Sequence, residues 1–291
     1  MRFDLAQFAS TPRVLDGAWG TELQRRGLAA GGCPELWNVE NPGAVRAVAR
    51  GYVDAGSDVI LSNTFGANRF ILASHNAGAR AAELAEAGAA ISRAVVGDSV
   101  RVFASIGPSG KIMMMGDVPP EELHEAFAET AAAVARGGAD GIALETFNEL
   151  EEIALALAAV KSVCDLPVVC SMTYASGPDK TATMMGTSPA DLVKVAVGGG
   201  AAAVGANCGV GPDNYVKVAG MYRQATDLPI WIKANAGLPV VVAGETTFPM
   251  GPEEFATFAP RLVSAGARFI GGCCGTGPEH IRAVRAAVDA L

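Results

Sequence analysis

The chain has 291 residues, enough to bury a core without covalent staples and an ordinary size for one α/β barrel. Half of it is hydrophobic, much of that alanine, and glycine is abundant, a mixture that suits helices packed closely on a buried sheet. A net charge of −8, spread along the chain, makes nucleic acid and anionic membranes poor partners, and the longest uncharged stretch, 195–212, is too glycine-rich to span a bilayer.

The start, Met1-Arg2-Phe3-Asp4, carries an early acid and no apolar run, so no export signal is expected and the protein is placed in the cytoplasm. Its six cysteines are then expected as reduced thiols. Cys273 and Cys274 are adjacent, where a disulfide would strain the peptide between them. That favours metal or catalytic roles.

A first strand is expected over 14–16, followed by a loop with Cys33 and a helix opening at Pro42. That helix ends in Asp54-Ala55-Gly56-Ser57-Asp58 and runs into an apolar strand, 59–63. The third strand lies over 102–106. A helix from Pro120 then ends in Arg136-Gly137-Gly138-Ala139-Asp140 and leads into strand four, 142–145. Strand five covers 168–172, and Ser188 stands as N-cap before Pro189. Gly198-Gly199-Gly200 leads into strand six, 203–207, and a helix from Pro212 leads to strand seven, 230–234. Pro252 opens the next helix, Ala265-Gly266-Ala267 precedes strand eight, 269–272, and Pro278 opens the last helix.

Each unit has the same logic. Proline fits the first helical turn, where its missing N–H has no partner to lose. Glycine supplies the left-handed cap, and the apolar run that follows is long enough only for a buried strand. Such alternation predicts a parallel sheet covered on both faces. Eight units favour a closed (β/α)8 TIM barrel, with an open doubly wound sheet as the competing arrangement. No linker tract divides the chain, so a single domain over 1–291 is expected.

In such a barrel the chemistry sits at the C-terminal strand ends. Those ends are Asp16, Asn63-Thr64, Gly107, Glu145-Thr146, Thr173, Asn207-Cys208, Asn235 and Cys273-Cys274. Cys208 closes strand six and Cys273-Cys274 close strand eight, and alternate strands share layers inside a barrel. For both neighbouring cysteines to face one ion, the chain must turn out of the strand, a turn expected of Gly271, Gly272 and Gly275. Three soft thiolates suit Zn2+ and leave a fourth position open, as in catalytic sites. A substrate thiol bound there would stay deprotonated at neutral pH, which points to alkyl transfer onto sulfur and away from hydrolysis. Buried cysteine is otherwise an ordinary small hydrophobe, the reading applied to Cys164 and Cys170 and also to Cys33. A non-catalytic zinc-stabilised barrel is the rival reading from another class.

The segments Leu15-Asp16-Gly17-Ala18-Trp19-Gly20-Thr21-Glu22, Asn63-Thr64-Phe65-Gly66-Ala67, Ile106-Gly107-Pro108, Glu145-Thr146-Phe147, Asn207-Cys208 and Gly271-Gly272-Cys273-Cys274-Gly275 span almost the whole chain. Together they resemble the homocysteine S-methyltransferase family, which includes the homocysteine-binding barrel of cobalamin-dependent methionine synthase and betaine–homocysteine methyltransferase. The resemblance implies that Cys208, Cys273 and Cys274 hold zinc and that homocysteine sulfur takes the open position. It implies that Asp16 and Glu145 receive the homocysteine ammonium, that Gly17, Asn63 and Thr64 face its carboxylate or amine, and that Phe65 faces its aliphatic part. Gly209-Val210-Gly211-Pro212, Asn235-Ala236-Gly237 and the stretch from Gly275 to His280 look more like the cobalamin-dependent branch. The chain stops at Leu291, with no room after the eighth helix for folate, cobalamin or activation domains. On this reading the methyl donor is methylcobalamin on a separate corrinoid protein, or a small donor such as S-methylmethionine or betaine.

Two methionine clusters, Met113-Met114-Met115 and Met184-Met185, fall in loops at the expected barrel mouth, as loop packing or as an apolar rim for a corrinoid partner. His75, His124 and His280 are expected to be surface or capping residues. No glycine-rich loop has phosphate-loop spacing.

Overall fold

A computed structural model describes residues 3–242 and 245–291. Met1 and Arg2, half of the start read above as leaderless, lie outside the described residues.

Eight strands form one all-parallel sheet: β1 (Arg13–Val14), β2 (Val59–Leu61), β3 (Arg101–Ile106), β4 (Gly141–Phe147), β5 (Val168–Met172), β6 (Ala203–Asn207), β7 (Ile230–Ala234) and β8 (Ala267–Gly272). Their order is β1-β8-β7-β6-β5-β4-β3-β2, so the first and last strands of the sequence pair and the sheet curls round. Side chains as well as backbone seal the remaining seam, between β1 and β2. Asp58 N donates to Val14 O at 2.7 Å, Asp58 Oδ2 accepts from Val14 N at 2.7 Å, and Asp16 Oδ2 accepts from Leu61 N at 2.7 Å. Carboxylates stand there where backbone carbonyls would continue a ladder, which is why β1 ends two residues earlier than expected. The result is a (β/α)8 barrel and not the open sheet.

Helices Pro42–Asp54, Pro120–Arg136, Pro189–Gly198, Pro212–Ala225, Pro252–Ala256 and Pro278–Asp289 each begin on the expected proline. Ser188 caps its helix in a reciprocal box with Asp191, worth about 1 kcal/mol. Before β2, β4, β6 and β8, Gly56, Gly138, Gly200 and Gly266 all have positive φ, the left-handed turn that sends each chain from helix to strand.

Strand alternation then divides the core. Leu15, Val59, Leu61, Phe103, Ala143, Val169, Ala203, Trp231 and Phe269 form one cluster inside the barrel. The intervening Ile60, Val102, Ile142, Val168, Val204, Ile230 and Ile270 pack outward against the helices. Leu5, which opens the short helix Leu5–Phe8, and Ala9, which follows it, close the barrel's N-terminal end. A hairpin of Val240–Val242 and Glu245–Thr247 follows β7 and carries no apolar alternation that would have announced it. Among the described residues no helix is long and apolar enough to cross a membrane.

Candidate active site

Above the apolar plug the inward positions turn polar. Two residues beyond Phe103, Ala143, Val169 and Trp231 stand Ser105, Glu145, Ser171 and Lys233. Ser105, Glu145 and Lys233 floor a cavity of about 530 Å³ at the C-terminal strand ends, walled by Trp19, Cys33, Glu35, Asn63, Phe65, Cys208, Cys273 and Cys274 among others. A second hollow, of about 680 Å³, lies at the opposite end of the barrel. Its Arg13, Arg101 and Asp140 are spent on ion pairs and on the Phe8 and Phe3 rings.

The three thiols converge on one wall. Cys208 leaves β6 with φ of 62°, a left-handed turn that L-residues seldom take. Tyr215 Oη holds that turn from behind, reaching Asn207 O at 2.9 Å and Cys208 O at 2.7 Å. Cys273 N donates to Ala234 O at 2.7 Å, Ala236 N donates to Cys274 O at 3.0 Å, and Thr276 Oγ1 donates to Cys273 O at 2.7 Å. Of the glycines expected to turn the chain here, only Gly275 has positive φ. Gly271 and Gly272 serve close approach instead. A Cβ at Gly271 would stand 2.7 Å from Asp16 O, and one at Gly272 would stand 2.2 Å from Thr276 Oγ1.

Cys208 Sγ and Cys274 Sγ are 3.8 Å apart, and all three sulfurs lie within 4.8 Å of one another. A tetrahedral Zn–S bond of ~2.3 Å gives an S···S edge of roughly 3.8 Å. Hydrogen bonds from Cys273 and Cys274 hold the Cys208 thiol well below the ordinary range, while sharing with Cys208 pushes the other two up. The Asn235 side chain also helps to hold the Cys208 thiol down, and its own Oδ1 is buried without a partner. Three clustered thiols beside an unsatisfied carbonyl oxygen form a donor set that fits a thiophilic cation.

The two predicted carboxylates are placed differently. Glu145 lines the cavity, accepts from Ser105 Oγ at 2.5 Å, and is pushed up to about 7. Burial raises it, the Lys233 ammonium and the Ser105 hydrogen bond lower it, and Asp16 and Cys208 raise it further. A bulge between Leu144 and Phe147 aims it inward. There Thr146 takes φ of 69° and is clamped by Asn207, which accepts from Thr146 N at 2.9 Å and donates to Thr146 Oγ1 at 2.6 Å. Asp16 is fully buried behind the wall. Its Oδ2 accepts from Trp19 Nε1 and Leu61 N, both at 2.7 Å, and its Oδ1 pairs with Lys233 Nζ.

The sequence profile of the homocysteine S-methyltransferase family matches residues 13–288. The chain belongs to the homocysteine S-methyltransferase family. It is 33% identical to the methionine synthase of Mycobacterium tuberculosis over 94% of its length, and 31% identical to that of Mycobacterium leprae over 98%. It spans about a quarter of the length of those relatives, 24% and 25% respectively. In three dimensions it matches the homocysteine methyltransferase MmuM from Escherichia coli in its oxidized form, with 25% identity and a TM-score of 0.77, covering 94% of this chain and 95% of that one.

Of the residues expected from the family motifs, Cys208, Cys273, Cys274, Glu145, Gly17, Asn63 and Phe65 line the one cavity, whereas Asp16 and Thr64 do not. Thr64 Oγ1 instead donates to Ser105 O at 2.7 Å and lies 2.7 Å from Ser62 Oγ. Asn63 Nδ2 donates to Pro34 O and Asn38 Oδ1, and the Phe65 ring lies against Gly107, where a Cβ would come within 2.6 Å of it. Cys33 lines the cavity wall and contacts Glu35 at 3.3 Å, apart from the thiol cluster. His75 lines the cavity too, and His280 Nδ1 caps its helix by accepting from Gly277 N. Lys233 and Ser105 were not singled out from the sequence, whereas Asn235 was named there as the end of strand seven. A lysine inside the apolar run Ile230-Trp231-Ile232 was the available signal, because a buried charge must have a partner.

Proposed function

We propose that the chain transfers a methyl group to the sulfur of homocysteine, giving methionine, with Cys208, Cys273 and Cys274 as the ligands of a zinc ion. The observation that carries this reading is the convergence of three thiols on a cavity that Glu145 also lines. When bound, zinc lowers the pKa of a substrate thiol at the position that three protein ligands leave open.

The chain's own residues supply the rest. Glu145, once ionised, gives a countercharge for the amino group, and its link to Ser105 fixes its orientation. The backbone at Asn63 and at Gly17 offers polar contacts for the carboxylate, and the Phe65 ring covers the aliphatic carbons. The acceptor sulfur forms the new bond to the methyl carbon with its own electron pair. The bond between methyl and carrier breaks, and its pair stays with the carrier. Asn207 holds Thr146, next to Glu145, and Tyr215 holds the Cys208 backbone at the two sides of the site, so that groups on β4, β6 and β8 meet with little reorganisation.

For the donor we propose a methyl-corrinoid on a separate protein, a reading supported by the similarity to methionine synthases four times as long. A small donor, S-methylmethionine or betaine, is the second reading, favoured by the near end-to-end match with a single-barrel methyltransferase. Zinc-edge X-ray absorption with and without homocysteine tests the acceptor: gain of one sulfur neighbour at about 2.3 Å is expected, and an unchanged shell would count against homocysteine. Assays with methylcobalamin-loaded corrinoid protein, S-methylmethionine and betaine then separate the donors.

A further inference from the structure

Lys233 is the one lysine or arginine lining the cavity among the described residues, and it is 1% exposed. Its Nζ donates to Asp16 Oδ1 and, at 3.1 Å, to Asp16 O. With Trp19 Nε1 and Leu61 N on its other oxygen, the Asp16 carboxylate is fully engaged by the chain itself. A cavity that held an acceptor's ammonium between two carboxylates would need both of them open. Here the chain's own ammonium sits on one, and the same positive group stands beside the other, Glu145.

We propose that Lys233 is a specificity-determining residue which takes the place of the acceptor's ammonium at Asp16 and favours its carboxylate, so that thiol acids without an amino group are accepted beside homocysteine. This rests on the thiol-acceptor reading above. The physical reason is charge. An incoming ammonium meets a resident cation, and of the cavity's carboxylates only Glu145 can answer it, since Glu35 is held by Gly66 N and Cys33 Sγ; an incoming carboxylate meets the cavity's one lysine or arginine. A buried site built around a substrate N–H normally rejects the analogue lacking it by about 10⁴-fold or more. With Asp16 closed by Lys233, that discrimination rests on Glu145 alone and falls.

The test is calorimetric binding of homocysteine and of 4-mercaptobutanoate, the same thiol acid without its amino group, to the zinc-loaded protein. The two dissociation constants are expected within about tenfold of each other in the wild type. In Lys233→Met, Asp16 is freed and the basic group is gone, so the ratio should move by about tenfold or more in favour of homocysteine. Lys233→Gln, which keeps a hydrogen-bond donor without the charge, should move it the same way and serves if Lys233→Met does not fold. Homocysteine binding with 4-mercaptobutanoate at least about a thousandfold weaker in the wild type would overturn the proposal alone, as would an unchanged ratio in both variants. Binding of neither thiol would overturn the acceptor reading and the proposal with it.

Discussion

Glu145 shows how a single buried side chain sets the working range of the site. Burial holds its carboxyl near 7, so below that pH it is neutral and offers no countercharge to an ammonium, while above it the carboxylate is present. Affinity for the product methionine, which has no thiol to titrate, should therefore rise with pH through about 7 and level off above it. Glu145→Gln should weaken binding at pH 8 and flatten the profile, and an unaltered profile in that variant would remove Glu145 from the amino-acid site. Asn235 acts through another residue. Its side chain contacts Cys208 while its Oδ1 has no partner, so Asn235→Ala is expected to cost about 10–100-fold in zinc affinity, read by chelator competition. Cys273→Ala should abolish zinc retention and methyl transfer altogether, with circular dichroism unchanged.

At the scale of elements, the barrel's tightest contacts are made by residues with nothing to spare. A Cβ at Gly205 would stand 2.2 Å from the Trp231 carbonyl oxygen, and backbone cannot yield as a flexible side chain can. Gly205→Ala should therefore destabilise the protein by at least about 1–3 kcal/mol, seen as a lowered midpoint in urea. The repeating unit was legible because each part has a local physical cause: proline to start the helix, left-handed glycine to end it, and an apolar run to enter the core. Four of the eight strands carried that glycine signature and were placed within two residues of the expected starts. The hairpin Val240–Val242 with Glu245–Thr247 was not legible, and the end of β1 was read two residues too far. The hairpin lacks the apolar–polar alternation of a half-buried strand in its sequence, and β1 is completed by side chains of Asp16 and Asp58 in place of a ladder. The thiol cluster could be read because cysteines at the ends of alternate strands announce themselves chemically. The Lys233–Asp16 pair could not, since 217 residues separate its members and Asp16 was read as facing the substrate.

At the scale of the whole molecule, the site is carried by a core that does not depend on it. The plug of Leu61, Phe103, Trp231 and Phe269 lies beneath the thiols and the helix-facing layer lies outside them, so hydrophobic burial continues without metal. Removing zinc with a chelator should end methyl transfer while leaving a cooperative unfolding transition, unlike small domains that fold only around their metal. The mouth of the barrel bears on the donor. Met114 and Met184, 77% and 74% exposed, project from the loops after β3 and β5, and Phe65, 42% exposed, stands on the cavity wall. Unbranched methionine side chains adapt to a partner at little cost in packing, and a large carrier must seat itself over this opening to bring its methyl group to the thiols. Replacing Met114, Met115 and Met184 by serine should therefore raise KM for a corrinoid protein several-fold and leave the affinity for homocysteine as it was, because none of the three lines the cavity. A small donor enters the cavity without touching these side chains. Equal KM values for the corrinoid protein in the wild type and the triple variant would remove the methionines from carrier docking and give the small-donor reading the stronger case.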